Sequence, residues 1–95
     1  MTNDPPHLPR LRKVESPGTH VHWRRTDDGR YLAEFWQSAT GRGRGGKWHI
    51  RVTDTHTNLC LQSMTDTALR QDATNESMAY RLMQRLMEGK GTPAS

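Results

Sequence analysis

The sequence has few of the residues that build large cores, disulfide frameworks or membrane spans. Its 95 residues contain one cysteine, one phenylalanine and 32% apolar residues. That apolar share is low for a globular domain, and a chain of this size buries only about 60% of its unfolded surface. No run approaches the roughly 18 consecutive apolar residues of a membrane span. These shortages exclude multi-domain machinery and large substrate clefts, and they predict one small domain.

Cysteine content and the N-terminal composition bear on the cellular compartment. Cys60 has no second cysteine to pair with, and the first twelve residues contain Pro5, Pro6 and Pro9 but no apolar segment. A secretory signal needs such a segment, and a single thiol is typical of a reducing environment. We therefore expect a cytoplasmic protein in which Cys60 is a small half-buried hydrophobic residue.

Positive charge is concentrated in the first half of the chain. Residues 1–51 contain ten Lys or Arg against five Asp or Glu, whereas residues 52–95 contain four against five. The net charge of the whole chain is +4. A one-sided basic field indicates a polyanionic partner such as DNA or RNA. A basic surface that serves only solubility is the alternative, and charge alone favours neither.

Composition divides the chain into an arm, a domain and a tail. Residues 1–18 contain four prolines and almost no aromatic mass, so we predict a flexible basic arm. Residues 91–95 are predicted to be a disordered tail. The single domain is then residues 19–90.

The domain begins with the two-residue apolar period of β-strands. Thr26-Asp-Asp-Gly29 is a tight-turn sequence between the first two strands. The alternating stretches are residues 20–25, 30–37 and 47–53, with a shorter fourth strand at residues 59–62. Apolar residues then repeat every 3.6 residues, which predicts a helix. Thr74 or Asn75 is expected to cap this helix at its start, and Gly89 is expected to end it. These periods predict an α+β fold, an antiparallel sheet of three to four strands with one C-terminal amphipathic helix packed on one face.

The predicted helix and the predicted sheet each have an apolar side. The helix stripe consists of Ala79, Leu82, Met83 and Leu86, widened by Met78 and Met87. The sheet side that would receive it consists of Trp23, Phe35, Trp48, Ile50, Val52 and Leu61. A helix with one wide apolar stripe packs on such a surface, so the opposite side of the sheet is expected to be open.

Alternation also assigns the residues of the open side. Glu34 sets the assignment, because an unpaired carboxylate is costly in a core. The expected set is His22, Arg24, Leu32, Glu34, Trp36, His49, Arg51, Thr53 and Cys60. An exposed Trp36 among arginines is typical of surfaces where bases stack on a ring and cations hold phosphate. A protein interface is one alternative, and cover by the arm is another.

A glycine-rich loop at residues 38–46 carries Arg42 and Arg44 and is followed by Lys47. Its letters match G-x-G-x-x-G and G-x-x-x-x-G-K, but both phosphate motifs require a following helix. A strand follows here, and Trp48 stands where a P-loop needs Ser or Thr. We therefore exclude nucleotide hydrolysis and predict a flexible cationic loop that contacts a nucleic-acid backbone, with a solvated hairpin loop as the alternative.

Five histidines raise the question of a metal site or an acid–base pair. No cysteine pair or carboxylate cluster stands at ligand spacing, so we predict no metal and no cofactor. His22 and His49, with Arg24 or Arg51, would suit metal-independent RNA cleavage by proton transfer and phosphate stabilisation. Ribonuclease activity is therefore a minor alternative.

The order of elements over residues 20–88 resembles that of known DNA-binding domains. Arg30-Tyr-Leu-Ala-Glu-Phe and Lys47-Trp-His-Ile-Arg-Val carry the resemblance. Three strands, a basic hairpin loop and a helix are similar to the small domains at the amino end of tyrosine-type integrases and to plant AP2-type domains. The resemblance implies a sheet laid in the major groove, and the expected fourth strand departs from it.

We predict a small non-enzymatic nucleic-acid-binding domain. Its binding residues would be Arg24, Trp36, Arg42, Arg44, Lys47, His49 and Arg51. The alternative is a small modulator or inhibitor, of the kind that phages and plasmids encode, which docks Leu32 and Trp36 on a larger protein.

Overall fold

The computed structural model describes residues 8–38, 46–65 and 71–94 and contains one antiparallel sheet and one helix. The α+β class is therefore confirmed. The elements are β1 (Arg12–Val14), β2 (Val21–Arg25), β3 (Tyr31–Gln37), β4 (Trp48–Asp54), β5 (Leu59–Thr65), α1 (Gln71–Met87) and β6 (Thr92–Pro93).

The sheet has six strands in sequential order, so the prediction of three to four strands is wrong. The additional strands β1 and β6 lie in the segments that composition assigns to the arm and the tail. β1 pairs with β2, and β6 pairs with Leu59 and Cys60 of β5. Low apolar content and proline do not prevent a strand at a sheet edge, because one side of its backbone needs no partner. Composition therefore underestimates the strand content at both ends of the chain.

Two turns at the same end of the sheet need residues that tolerate a positive φ. Gly29, with φ at 74°, closes the β2–β3 turn, and its N–H donates to the Thr26 carbonyl at 2.9 Å. Asn58, with φ at 59°, closes the β4–β5 turn, where asparagine is favoured after glycine. The predicted turn at residues 26–29 is confirmed.

The core lies between α1 and one face of the sheet. The helix stripe of Ala79, Leu82, Met83 and Leu86 is buried as predicted, whereas Met87 is 46% exposed and does not widen it. The buried sheet residues opposite are Tyr31, Ala33, Phe35, Ile50 and Val52. Trp48 and Leu61 pack against this core at its margin, as predicted.

Leu11, from the predicted arm, completes the core. It is 2% exposed, and its backbone N–H donates to the hydroxyl of Tyr80 on α1 at 2.9 Å. Leu8 packs against the same cluster. Leu8 and Leu11 of the predicted arm therefore pack on the helix side of the sheet, and the arm continues into β1.

The helix begins earlier than predicted and ends where predicted. It starts at Gln71, and the buried Asn75 side chain accepts a hydrogen bond from the Gln71 side chain at 2.8 Å instead of capping the helix. At the other end, Gly89 has φ at 84°. The Gly89 N–H donates to the Leu86 carbonyl and the Lys90 N–H to the Arg85 carbonyl. These two bonds form a Schellman motif, which favours glycine at this position.

Candidate nucleic-acid interface

The face of the sheet opposite α1, here called the open face, is defined by the strand register. Side chains of directly opposed residues in antiparallel strands point to the same face. One row across the open face contains Val14, Trp23, Glu34, Arg51 and Gln62. A second row contains Val21, Trp36, His49 and Met64. A third contains Arg12, Arg25, Leu32, Thr53 and Cys60.

The predicted faces of β2 are reversed, so the placement of His22 and Arg24 on the open face is wrong. His22 pairs with Phe35 and Arg24 with Ala33, both of which face α1. Within the described residues, α1 lies over β3, β4 and β5 and not over β2. The helix-side surface of β2 therefore accepts polar side chains, and the partly buried Arg24 is offset there by Glu76 of α1. Trp23 consequently lies on the open face and is not part of the core.

Arg24 has an acidic partner on the helix side. Its guanidinium lies 3.5 Å from the Glu76 carboxylate of α1, and its side chain is 19% exposed. His22 lies near Trp48 on the same side, with ring centroids 6.2 Å apart. Arg24 is therefore removed from the predicted nucleic-acid-binding residues.

The centre of the open face is an aromatic and cationic cluster on β3 and β4, which we call the Trp36 cluster. The rings of Trp36 and His49 are stacked, with centroids 5.3 Å apart and planes 4° apart. The Arg51 guanidinium lies 5.6 Å from the centroid of the Trp36 ring, within cation–π range. Ser38 contacts the Nε2 atom of His49. Trp36, His49 and Arg51 thus come together as predicted, in a half-buried, ordered array.

Glu34 partly neutralises this cluster. Its Oε1 atom accepts a hydrogen bond from Arg51 Nε at 3.1 Å and lies 3.0 Å from Arg51 Nη2 as an ion pair. The Arg51 side chain nevertheless stays 39% exposed, whereas that of Glu34 is 15% exposed. The cationic end of the pair is therefore the more accessible one.

Two further arginines extend the positive charge along the third row. Arg12 and Arg25 are directly opposed on β1 and β2 and both are exposed. Arg12 forms an ion pair with Asp27 at 3.2 Å, with side chains 57% and 76% exposed, so solvent screens that pair strongly. Sequence analysis did not place these two residues on the open face, because β1 was not predicted and the faces of β2 were reversed.

The glycine-rich loop leaves the sheet beside the Trp36 cluster. At its base, the Ser38 N–H donates to the Lys47 carbonyl and the Gly46 N–H donates to the Ser38 carbonyl, both at 3.0 Å. The Gln37 side chain donates to the Gly46 carbonyl at 2.8 Å. Lys47 is exposed, while Arg42 and Arg44 lie outside the described residues. The loop is therefore anchored next to the cluster at both of its ends.

The predicted acid–base pair for RNA cleavage does not form. His22 faces the α1 side and His49 faces the open side, because they oppose Phe35 and Trp36 respectively. Side chains on opposite faces of a sheet do not reach one phosphate together. Within the described part of the chain, no three His, Cys, Asp or Glu side chains group closely enough to hold a metal ion.

A buried carboxylate that the sequence did not single out holds the far end of the sheet together. Asp54 is 1% exposed and accepts hydrogen bonds from the Arg30 guanidinium at 3.1 and 3.3 Å. The backbone N–H of His56 donates to it at 2.9 Å. Burial raises the pKa of Asp54, but Arg30 and the backbone N–H groups of His56 and Thr57 outweigh burial and hold that pKa below 3.8. Asp54 is thus an ionised structural group, distant from the Trp36 cluster along its strand.

The chain matches no protein-family model, no curated protein and no solved structure. The six-stranded sheet also departs further from the integrase and AP2-type domains than the sequence predicts. In residues 8–38, 46–65 and 71–94 there is no helix with the length and apolar character needed to cross a membrane. Function is therefore inferred from the side chains of the open face.

Proposed function

We propose that the chain is a nucleic-acid-binding domain that presents the open face and the adjoining glycine-rich loop to phosphates and bases. The observation that carries this proposal is the Trp36 cluster. It places a tryptophan ring, a stacked histidine and a half-exposed arginine on the two central strands. Such sheets bind single strands by stacking bases on aromatic rings while arginines contact phosphate.

The distribution of charge supports the same surface. Among the described residues, the rows of the open face carry Arg12, Arg25 and Arg51 against Glu34, and Asp27 of the neighbouring turn pairs with Arg12. Lys47 adds positive charge at the base of the loop, beside Ser38, and the loop sequence contains Arg42 and Arg44. This positive charge attracts a polyanion to the open face.

The first test replaces the stacking ring. Trp36→Ala should weaken binding to labelled single-stranded DNA and RNA by about 5- to 150-fold, the usual effect of losing one base–aromatic stack. Met87→Ala on α1, which also removes an exposed apolar side chain, is the matched control and should leave affinity unchanged. Circular dichroism checks that both variants fold. A folded Trp36→Ala protein with unchanged affinity contradicts the role of the cluster.

The second test releases the paired arginine. Glu34→Gln removes the acid from the open face and frees Arg51, so affinity for nucleic acid should rise about two- to fivefold, as for one added phosphate contact. Glu76→Gln frees Arg24 on the helix side in the same way and should have no effect. Equal effects of the two variants on fluorescence anisotropy would show that total charge matters and that the open face does not.

One observation favours docking on a larger protein as the second candidate function. The reversed phase of β2 adds Val21 and Trp23 to Leu32 and Trp36, which enlarges the apolar part of the open face. These four side chains are half-buried, and apolar and aromatic patches that stay partly accessible bind proteins. Salt separates the two functions, because an apolar interface survives an increase in salt that releases phosphate contacts.

A further inference from the structure

One edge of the sheet ends in unpaired backbone beside the helix. β6 pairs with Leu59 and Cys60, while β5 continues to Thr65. Among the described residues, no strand pairs with this edge of β5 beyond Cys60. Unpaired N–H and C=O groups along a strand edge are a template for an added strand. The segment of β5 after Cys60 is therefore a candidate for strand addition.

The hydrogen-bond pattern identifies which residues face outward. The Ala94 N–H donates to the Asn58 carbonyl at 2.9 Å, so these opposed residues form a hydrogen-bonded pair on the β6 side. Bonded and non-bonded residues alternate along an antiparallel strand. Cys60, Gln62 and Met64 therefore direct their backbone groups to the same side. Because Cys60 is opposite Thr92, the groups left for another strand are those of Gln62 and Met64.

A groove of about 480 Å³ separates this edge from α1. Leu61 and Ser63 form its sheet side, because they oppose Val52 and Ile50 and so face the helix. Met78 lies on the helix side of the groove and packs against the core. The small Ser63 side chain leaves room beside Met78 for an apolar side chain of an added strand. The groove thus offers backbone pairing along one wall and an apolar floor.

The rim of the groove is positively charged. Arg81 and Arg85 of α1 line it and are exposed, and they lie one helical turn apart on the same side of the helix. Of the described residues that line the groove, Glu88 is the one acid. A segment that carries carboxylates is therefore favoured over a neutral or basic one. A second copy of this chain fits poorly, because pairing of two β5 edges would bring the same arginines together.

We propose that this groove binds an extended acidic segment of a partner protein, which adds as a strand to β5 along Gln62 and Met64. The side chains on its helix-facing side are apolar where they lie on Leu61 and Met78 and acidic where they reach Arg81 and Arg85. The site lies at the edge of the sheet and against the helix, so it is separate from the Trp36 cluster. Both ligands can therefore bind at the same time.

The test uses the full chain and a fluorescein-labelled peptide of Val-Thr-Glu-Thr repeats, in which valine and glutamate lie on the same face of the strand. Anisotropy should show saturable binding, and the same peptide with lysine in place of each glutamate should not bind. Hydrogen exchange should show slower exchange of the Gln62 and Met64 amides when the glutamate peptide is present. The double variant Arg81→Glu, Arg85→Glu should weaken peptide binding at least about tenfold.

A charge-matched variant supplies the control. Lys13→Glu with Arg25→Glu changes the net charge equally on β1 and β2, at the opposite edge of the sheet from β5, and should leave peptide affinity unchanged. Loss of binding in both double variants would overturn the proposal, because it would show a general charge effect. So would protection of Gln62 and Met64 that depends on protein concentration without peptide, since that result identifies a second copy as the occupant. Neither result bears on nucleic-acid binding at the open face.

Discussion

Asp54 should be the most stabilising carboxylate on the sheet. In Asp54→Ala the structure loses an acceptor of two hydrogen bonds from Arg30 and of one close bond from the His56 N–H. Hydrogen bonds to charged groups contribute about 1.5–3 kcal/mol each when buried. The Arg30 side chain is 38% exposed, so solvent screening reduces its share. We expect a loss of about 2–4 kcal/mol in the free energy of unfolding.

That loss is a large part of the total free energy of unfolding of a chain of this size. Small domains are stable by about 5–15 kcal/mol, and each kcal/mol shifts the melting temperature by about 4–8 °C. Asp54→Ala should therefore lower the melting temperature by at least about 10 °C. Asp54→Asn keeps an acceptor for the backbone N–H groups, so its loss in free energy of unfolding should be about half that of Asp54→Ala. Urea unfolding followed by circular dichroism measures both.

Asp27→Ala is the matched control for this prediction. It removes the same side chain from the same end of the sheet, but its ion pair with Arg12 is exposed. Exposed pairs contribute less than about 1 kcal/mol. If Asp54→Ala and Asp27→Ala lower stability by the same amount, the reasoning from burial and hydrogen bonding is refuted.

The remaining predictions concern acid, a glycine and the interface. The folded pKa of Asp54 lies below its usual 3.8, so the folded state binds fewer protons than the unfolded state near that pH. Stability should fall as the pH drops below 3.8, and fall less steeply in Asp54→Ala. Gly91→Ala should cost about 1–3 kcal/mol, because φ is +127° and the new Cβ would lie 2.8 Å from the Leu86 side chain and 3.1 Å from the Cys60 carbonyl. Gly18→Ala, with open space around it, should be neutral in the same urea titration. Glu34→Gln should tighten nucleic-acid binding while Glu76→Gln does not.

Sequence patterns predicted the elements whose two sides differ strongly. In β3 and β4, apolar residues such as Phe35 and Ile50 alternate with Glu34 and Arg51, so the phase of burial could be read directly. The end of α1 was equally readable, because Gly89 is suited to a left-handed helix cap.

The predictions that are wrong concern strands whose burial does not follow from the alternation of apolar and polar residues in their own sequence. Alternation in β2 shows that Trp23 and Arg24 lie on different faces, but the position of α1 decides which face is enclosed. β1 and β6 are short edge strands whose backbone pairing leaves no periodic signal. The bond between Arg30 and Asp54 joins two turns that are distant in the chain, and only the sheet order brings them together.

Binding to nucleic acid at two salt concentrations tests the central claim most directly. Anisotropy of labelled single-stranded DNA, RNA and duplex DNA would be measured at about 50 and 200 mM salt, for the natural chain and for Trp36→Ala. With three or four phosphate contacts, affinity should fall by about 20- to 150-fold between these concentrations, and Trp36→Ala should bind more weakly at both. Absence of binding at the lower salt concentration, or affinity independent of salt, would contradict the nucleic-acid-binding function.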